Sequence, residues 1–253
     1  MKRYIVPRAC VFAMTLSMTL FVLPVFAANL PTHADLRAAL KAVVAEKNGG
    51  FGFNMWATIV DRDGEVKLVV FSGEDRGDQW PGSRAISAQK ANTANAFSLP
   101  GLALSTANLF TAVQPGGSLF GLQFSNPVAT DVAYKGPSEA IGTEKDPMVG
   151  QKIGGVNVFG GGLPLYTSKG ILVGAIGVSG DSSCADHNIA WKVRDKLGLD
   201  YVPAGVSPTK DDNIVNDITA GVSASAWGHP ECSPTATQIA KAFPNTHPIG
   251  AQP

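Results

Sequence analysis

Two β-favouring runs, residues 55–60 and 65–71, flank the tetrapeptide Asp61-Arg62-Asp63-Gly64. An Asp-Gly pair readily takes up the backbone of a hairpin turn, so the runs are expected to pair antiparallel. The other segments then read as further strands and as helices packed on them, so the fold class expected is α+β.

The layers show in the spacing of apolar residues. Over residues 35–47, Leu36, Ala39, Leu40, Val43 and Val44 recur at steps of three and four until Asn48-Gly49-Gly50 ends the pattern, which predicts an amphipathic helix. Residues 83–97 carry Ala85, Ala88, Ala91, Ala94 and Ala96, a helix slim enough to lie close against a sheet. A short helical stretch at 105–113 stops at Gln114-Pro115-Gly116-Gly117, and 119–124 returns to an extended pattern.

Strands are expected again at 156–159, 163–166 and 171–179, with Gly160-Gly161-Gly162 and Ser168-Lys169-Gly170 as breaks, giving a sheet of about five strands. Ser183, with Asp186 three residues on, is the expected N-cap of a last helix reaching Leu197 and stopped by Gly198. Residues 199–253 are rich in Pro, Gly and Ser, with helical hints only at 211–218 and 237–243, and are expected to form a loop-rich extension.

The N-terminus has its own signature. Lys2, Arg3 and Arg8 precede an uncharged apolar run from residue 11 to 23 and a small-residue exit at Val25-Phe26-Ala27, the pattern of a cleaved export signal over residues 1–27. That run is shorter than the roughly 20 residues a membrane span needs, and no later stretch matches it, so no span is expected after cleavage. The domain proper is expected over 28–198 and the extension over 199–253.

Of 20 basic and 20 acidic residues, three basic ones leave with the signal, so the mature charge is −3 and nucleic acid is not an expected partner. Cys10 leaves too, and Cys184 and Cys232 remain. An even pair outside the cytoplasm suggests a disulfide worth about 4 kcal/mol by loop closure; two buried thiols or a bond to another chain are the alternatives.

Phe159-Gly160-Gly161-Gly162-Leu163-Pro164-Leu165 and Leu172-Val173-Gly174-Ala175-Ile176-Gly177-Val178-Ser179-Gly180, with Pro115-Gly116-Gly117 upstream and Asp186 downstream, resemble the GlcG/HbpS haem-binding family over residues 35–197. The resemblance implies an antiparallel, profilin-like sheet flanked by helices, assembly into homo-oligomers, and haem or a related tetrapyrrole as a non-covalent ligand. It implies no particular reaction.

The residues themselves suggest where a planar or anionic ligand would sit. Free amides and the positive dipole end of the last helix come together near Ser182 and Ser183, a place for a carboxylate, although an ordinary capped helix start reads the same way. Ile189, Ala190, Val193 and Leu197 should face the sheet. His187, Trp191 and Arg194 are left as a stripe able to ligate haem iron, stack on a porphyrin and pair a propionate, or else to form a subunit contact.

Arg84 and Lys90 are further candidates for an anion, with simple solvation as the alternative. Phe159, Gly160 and Gly161 mark a sheet bend or a close ligand approach. Other chemistries find little support. Cys184-Ala185-Asp186-His187 lacks the second cysteine of a c-type haem site, the triple glycine lacks a Gly-Lys-Ser/Thr ending, and Gly177-Val178-Ser179-Gly180-Asp181 lacks a nucleophile-elbow glycine. No metal-spaced cluster is evident, and Arg76-Gly77-Asp78 stands alone. The alternatives to a haem carrier are an enzyme acting on a small carboxylate or degrading haem, and an oligomeric accessory protein.

Overall fold

The computed structural model of the chain describes Met1 and residues 30–250, so the expected export signal, Met1 apart, lies outside the described residues. Helix α1 (His33–Val44) starts with a reciprocal cap, the Thr32 hydroxyl accepting from the Asp35 amide while the Asp35 carboxylate accepts from the Thr32 amide. The hairpin follows as β1 (Trp56–Asp61) and β2 (Val66–Phe71). Its turn is closed by the Asp61 carboxylate, which accepts from the Asp63 and Glu65 amides, and by Gly64 at φ 75°.

Helix α2 (Gly82–Phe97) crosses back, and a long irregular segment containing the single turns α3 (Leu122–Ser125) and α4 (Thr130–Ala133) leads to β3 (Gly162–Tyr166) and β4 (Leu172–Ser179). The sheet is four-stranded and wholly antiparallel, in the order β2-β1-β4-β3. Alternation along β1 separates two cores. Ala57 and Ile59 join Leu36, Leu40 and Val43 of α1, whereas Trp56 and Val60 join Ala88, Ala91 and Ala94 of α2. The second interface is tight because both sides are small: a Cβ on Gly177 would overlap the Ser87 carbonyl and the Ala91 amide.

Helix α5 (Ser183–Lys196) lies beside α1, with Ile189, Ala190 and Val193 in the first core. The rest of the chain forms a small ribbon, β5 (Ile218–Thr219) with β6 (Val222–Ser223), and then α6 (Pro234–Thr246), capped by Ser233 with proline at its start. Helix α6 buries Ala236, Ala240 and Phe243 in the same core as α5, and a Cys184–Cys232 disulfide ties the extension to the first turn of α5. No helix among the described residues is long and apolar enough to cross a membrane.

Several expectations are corrected. The sheet has four strands because residues 156–159 pair with no strand; Val158 instead packs with Leu104, Leu109 and Val113. Residues 105–113 form two 3-10 turns, and 119–124 bend into α3. The N-cap of α5 is Ser182, one residue earlier than expected, because Asp186 turns its carboxylate to the Asp181 amide. Residues 211–218 are not helical: the Asp212 carboxylate reaches Arg194, and the Ile214 amide reaches His187.

Candidate functional site: a sealed helix face and an open groove

The stripe expected to be a docking edge is interior. His187 is fully buried, and its Nε2 accepts from the Ile214 amide at 3.1 Å. Burial, reinforced by His229 and Arg194, pushes this imidazole down to about 3, so it is neutral at pH 7. Trp191 stacks on Phe243 with ring centroids 5.2 Å apart and donates its indole N–H to the His247 carbonyl at 2.9 Å. Arg194 grips Asp212 through two bonds of 2.6 and 2.8 Å, reaches the Pro164 carbonyl at 3.1 Å, and lies 4.8 Å over the Trp191 ring.

Nearly all of these partners come from residues 212–247. The helical spacing placed the stripe away from the sheet, yet Arg194 reaches the Pro164 carbonyl of β3 and Trp191 joins the first core; nor could spacing show that the extension brings its own aromatic, carboxylate and amide to cover it. The stripe is therefore not available as the subunit contact offered as its alternative role.

The amides at the start of α5 are likewise engaged. The Asp181 carboxylate accepts from the Ser182 amide at 2.6 Å and from the Phe51 and Gly52 amides at 3.0 and 2.9 Å. Ser182 Oγ accepts from the Ala185 amide, while the Cys184 amide donates to Cys232 Sγ at 3.2 Å and Ser183 Oγ stands 3.5 Å from the same sulfur. The Ser182, Cys184 and Ala185 amides are thus already taken by the protein.

Lys90 and Arg84 are neither solvated nor directed at a ligand. Lys90 is buried between the Asp186 carboxylate, 2.7 Å away, and the Val178 carbonyl, 3.2 Å away, and so clamps α2 to α5. Burial holds Asp186 up to about 6 despite the opposing pull of Lys90. Arg84 pairs through two nitrogens with Asp146 and donates to the Ala133 carbonyl at 2.8 Å, which anchors the long segment before β3.

Of the remaining candidates, Phe159 is exposed beside Phe110 and His229, with centroids 5.9 and 6.5 Å away. Gly160 and Gly161 are places of close approach, but to protein. A Cβ on Gly160 would overlap the Ser183 carbonyl, and the Gly160 amide donates to His229 Nε2. Gly161, at φ 119°, backs onto Val178.

An opening of about 870 Å³ lies elsewhere, between α1, the ends of β1 and β2, and the loop at 138–144. Its floor is the stacked pair Trp56 and Phe71, cross-strand neighbours with ring centroids 4.7 Å apart; the buried Trp56 indole N–H has no partner among the described residues. His33, Arg37 and Lys41 line one wall, four residues apart on α1, and Arg76 stands across from them.

The contacts of His33 define its chemistry. His33 Nε2 is 3.1 Å from the Val69 carbonyl and 3.2 Å from the Gly142 carbonyl, so Nε2 donates and Nδ1 is the nitrogen left for a ligand in the neutral ring. Arg37 donates to the Phe71 and Gly73 carbonyls at 3.2 Å, and shares Glu74 with Lys41, whose hydrogen bond and charge hold that carboxylate below its ordinary range. The opposite wall depends on Arg84, because Asp146, which it grips, also accepts from the Gly142 amide at 2.8 Å.

An imidazole with a free lone pair, an aromatic floor and three cations suit a planar ligand with acidic edges. Sequence reasoning passed over these residues. The four-residue recurrence of His33, Arg37 and Lys41 was the available signal, since it places three basic groups on one helix face.

The protein is thus an α+β fold with a cation-rimmed groove. A model of the family described as "Haem degrading protein HbpS-like" matches residues 32–194, and the chain belongs to that family. Among solved structures it is similar to protein ORFY of Klebsiella pneumoniae, with 25% identity over 66% of this chain and 90% of that one and a TM-score of 0.44. A PduOC:heme complex is 25% identical over 67% of this chain and 95% of that one, with a TM-score of 0.45. A double mutant of Streptomyces reticuli HbpS is 20% identical over 76% and 99%, with a TM-score of 0.41. No curated protein matches the chain.

Proposed function

We propose that this is an exported protein that holds haem non-covalently in the groove beside α1. One observation carries the reading: an imidazole with an unprotonated Nδ1 shares a groove of about 870 Å³ with a stacked aromatic floor and the cations Arg37, Lys41 and Arg76. In this reading His33 would hold the iron, Trp56, Phe71 and Ile141 would hold the porphyrin, and Arg37 and Lys41 would take the propionates in place of Glu74. Bound haem would supply a redox-active iron, while the chain supplies orientation and charge.

The family's description, which names haem, supports the ligand. Non-covalent attachment is supported by the cysteines: Cys184 and Cys232 are bonded to each other, so neither offers a thiol to a vinyl group. Export is supported by the leader-like residues 1–27 and by a disulfide of the kind oxidising compartments maintain.

Hemin titration followed at the Soret band tests the assignment. The protein should saturate at one equivalent, and His33→Ala should shift the band and weaken binding at least tenfold. A wild-type protein that leaves the hemin spectrum unchanged removes haem; identical titrations for wild type and His33→Ala remove the groove.

A further inference from the structure

A second cluster of donor atoms lies away from the groove and owes nothing to the haem reading. Cys184 Sγ, Cys232 Sγ and a ring nitrogen of His229 all lie within 4.8 Å of one another. The tautomer of the imidazole is already set. His229 Nδ1 stands 2.8 Å from the Pro230 carbonyl and so donates to it, leaving Nε2 as the basic nitrogen, with a single long bond of 3.3 Å from the Gly160 amide. A carbonyl on one ring nitrogen is how proteins set the tautomer of a metal-binding histidine.

The sulfurs sit where thiolates are stabilised. Cys184 is in the first turn of α5, a helix of 14 residues, and its own amide points at Cys232 Sγ at 3.2 Å. A hydroxyl is also at hand, Ser183 Oγ, 3.5 Å from that sulfur. Cys232 is exposed while Cys184 and His229 are buried, so the cluster can be reached by a reductant and a metal from one side only.

We propose that the Cys184–Cys232 disulfide is the closed state of a zinc site, and that reduction opens it to a Cys₂His ligand set whose fourth position is left to Ser183 Oγ or water. In the first step a dithiol breaks the S–S bond and is itself oxidised to a disulfide; its two electrons and two protons leave Cys184 and Cys232 as thiols. In the second, Zn²⁺ binds both sulfurs and His229 Nε2, and the two thiol protons go to solvent. Tetrahedral zinc, with bonds of about 2.0–2.3 Å, needs donor atoms about 3.5–3.8 Å apart. The freed sulfurs therefore separate, and His229 Nε2 gives up the Gly160 amide and turns toward them by a side-chain rotation. Thiolate and imidazole donors select zinc over the hard cations.

The test uses the purified full chain without haem, in oxidised form and after anaerobic reduction by a phosphine, with Co²⁺ as the probe. The reduced protein should bind one equivalent with a thiolate-to-cobalt charge-transfer band and the intense d–d bands of a tetrahedral centre, and Zn²⁺ should bleach both. The oxidised protein should show neither. Cys232→Ser, at an exposed position, should lose the charge-transfer intensity of one sulfur and at least 100-fold in affinity. His229→Gln should lose at least tenfold while keeping the far-ultraviolet circular dichroism of the wild type. A reduced protein without the charge-transfer band overturns the site. So does a His229→Gln protein that binds cobalt as tightly as wild type, which would leave only two adventitious thiolates; should that variant not fold, the reduced wild-type spectrum and Cys232→Ser decide.

Discussion

Two helices on the same face of the sheet carry stripes of the same chemical kind. Helix α1 presents His33, Arg37 and Lys41; α5 presents His187, Trp191 and Arg194. The first stripe lines an open groove, and the second is sealed under residues 212–247, although its aromatic and guanidinium groups made it the more conspicuous in the sequence. Residue type sets what a side chain can do, but the segment packed over it decides whether it can do so. On α5 each of the three side chains finds a partner in the extension, Arg194 in Asp212, His187 in the Ile214 amide and Trp191 in the His247 carbonyl, while His187 Nδ1 and Arg194 Nε have none among the described residues.

The most damaging change to the sealed side should be Asp212→Ala, which leaves the buried Arg194 charge unanswered. A loss of about 3–5 kcal/mol is expected in urea unfolding. A variant within about 1 kcal/mol of wild type would mean that water reaches the guanidinium and that the face is less closed than described.

Releasing the extension at its tether is next. Cys232→Ser should cost about 2–4 kcal/mol and make the segment between β5 and α6 the first site of proteolytic cleavage. Unchanged cleavage would show that α6 holds the extension without the bridge.

Acid should also separate the two stripes. Burial pushes His187 down to about 3 and His229 down to about 4, against 6.5 for a free imidazole. The unfolded chain therefore binds more protons below pH 6.5. The full stability is present above that value and is lost as pH falls through 6.5 toward 4, at up to about 1.4 kcal/mol per pH unit for each imidazole. Asp186, held up to about 6, works in the opposite sense over part of that window, so the informative quantity is a difference. His187→Asn should flatten the slope by about one proton relative to wild type, and equal slopes would place His187 in contact with water.

The smallest effect is expected on the open side. Lys41→Gln touches only an exposed pair with Glu74, so the unfolding midpoint should not move while hemin binding weakens a few-fold. A fall in stability without a change in hemin affinity would turn the groove's cations into structural groups.

Much of the fold was legible because its signals are local. The Asp61–Gly64 turn, the apolar steps of α1, the alanine row of α2 and the Gly198 stop after α5 each act within a few residues, and each element formed within two or three residues of where its pattern placed it. Residues 156–159 misled because a β-favouring run can pack as irregular chain when no neighbour offers it a ladder. At the site, periodicity could say that His187, Trp191 and Arg194 turn away from the sheet, and that Arg84 and Lys90 lie on a helix. It could not say that Asp146 and Asp186 come to meet those two cations from 62 and 96 residues away.

By itself, the sequence determined the class of fold and the family and pointed to a disulfide that the structure then formed, since hairpin chemistry, helical periodicity and an even thiol count operate within or between recognisable segments. Tertiary structure decided which imidazole keeps a free lone pair and which is walled in, and it brought His229 beside both sulfurs. The reason is that burial and donor geometry are set by contacts between segments far apart in the chain, whose relative placement no local pattern encodes.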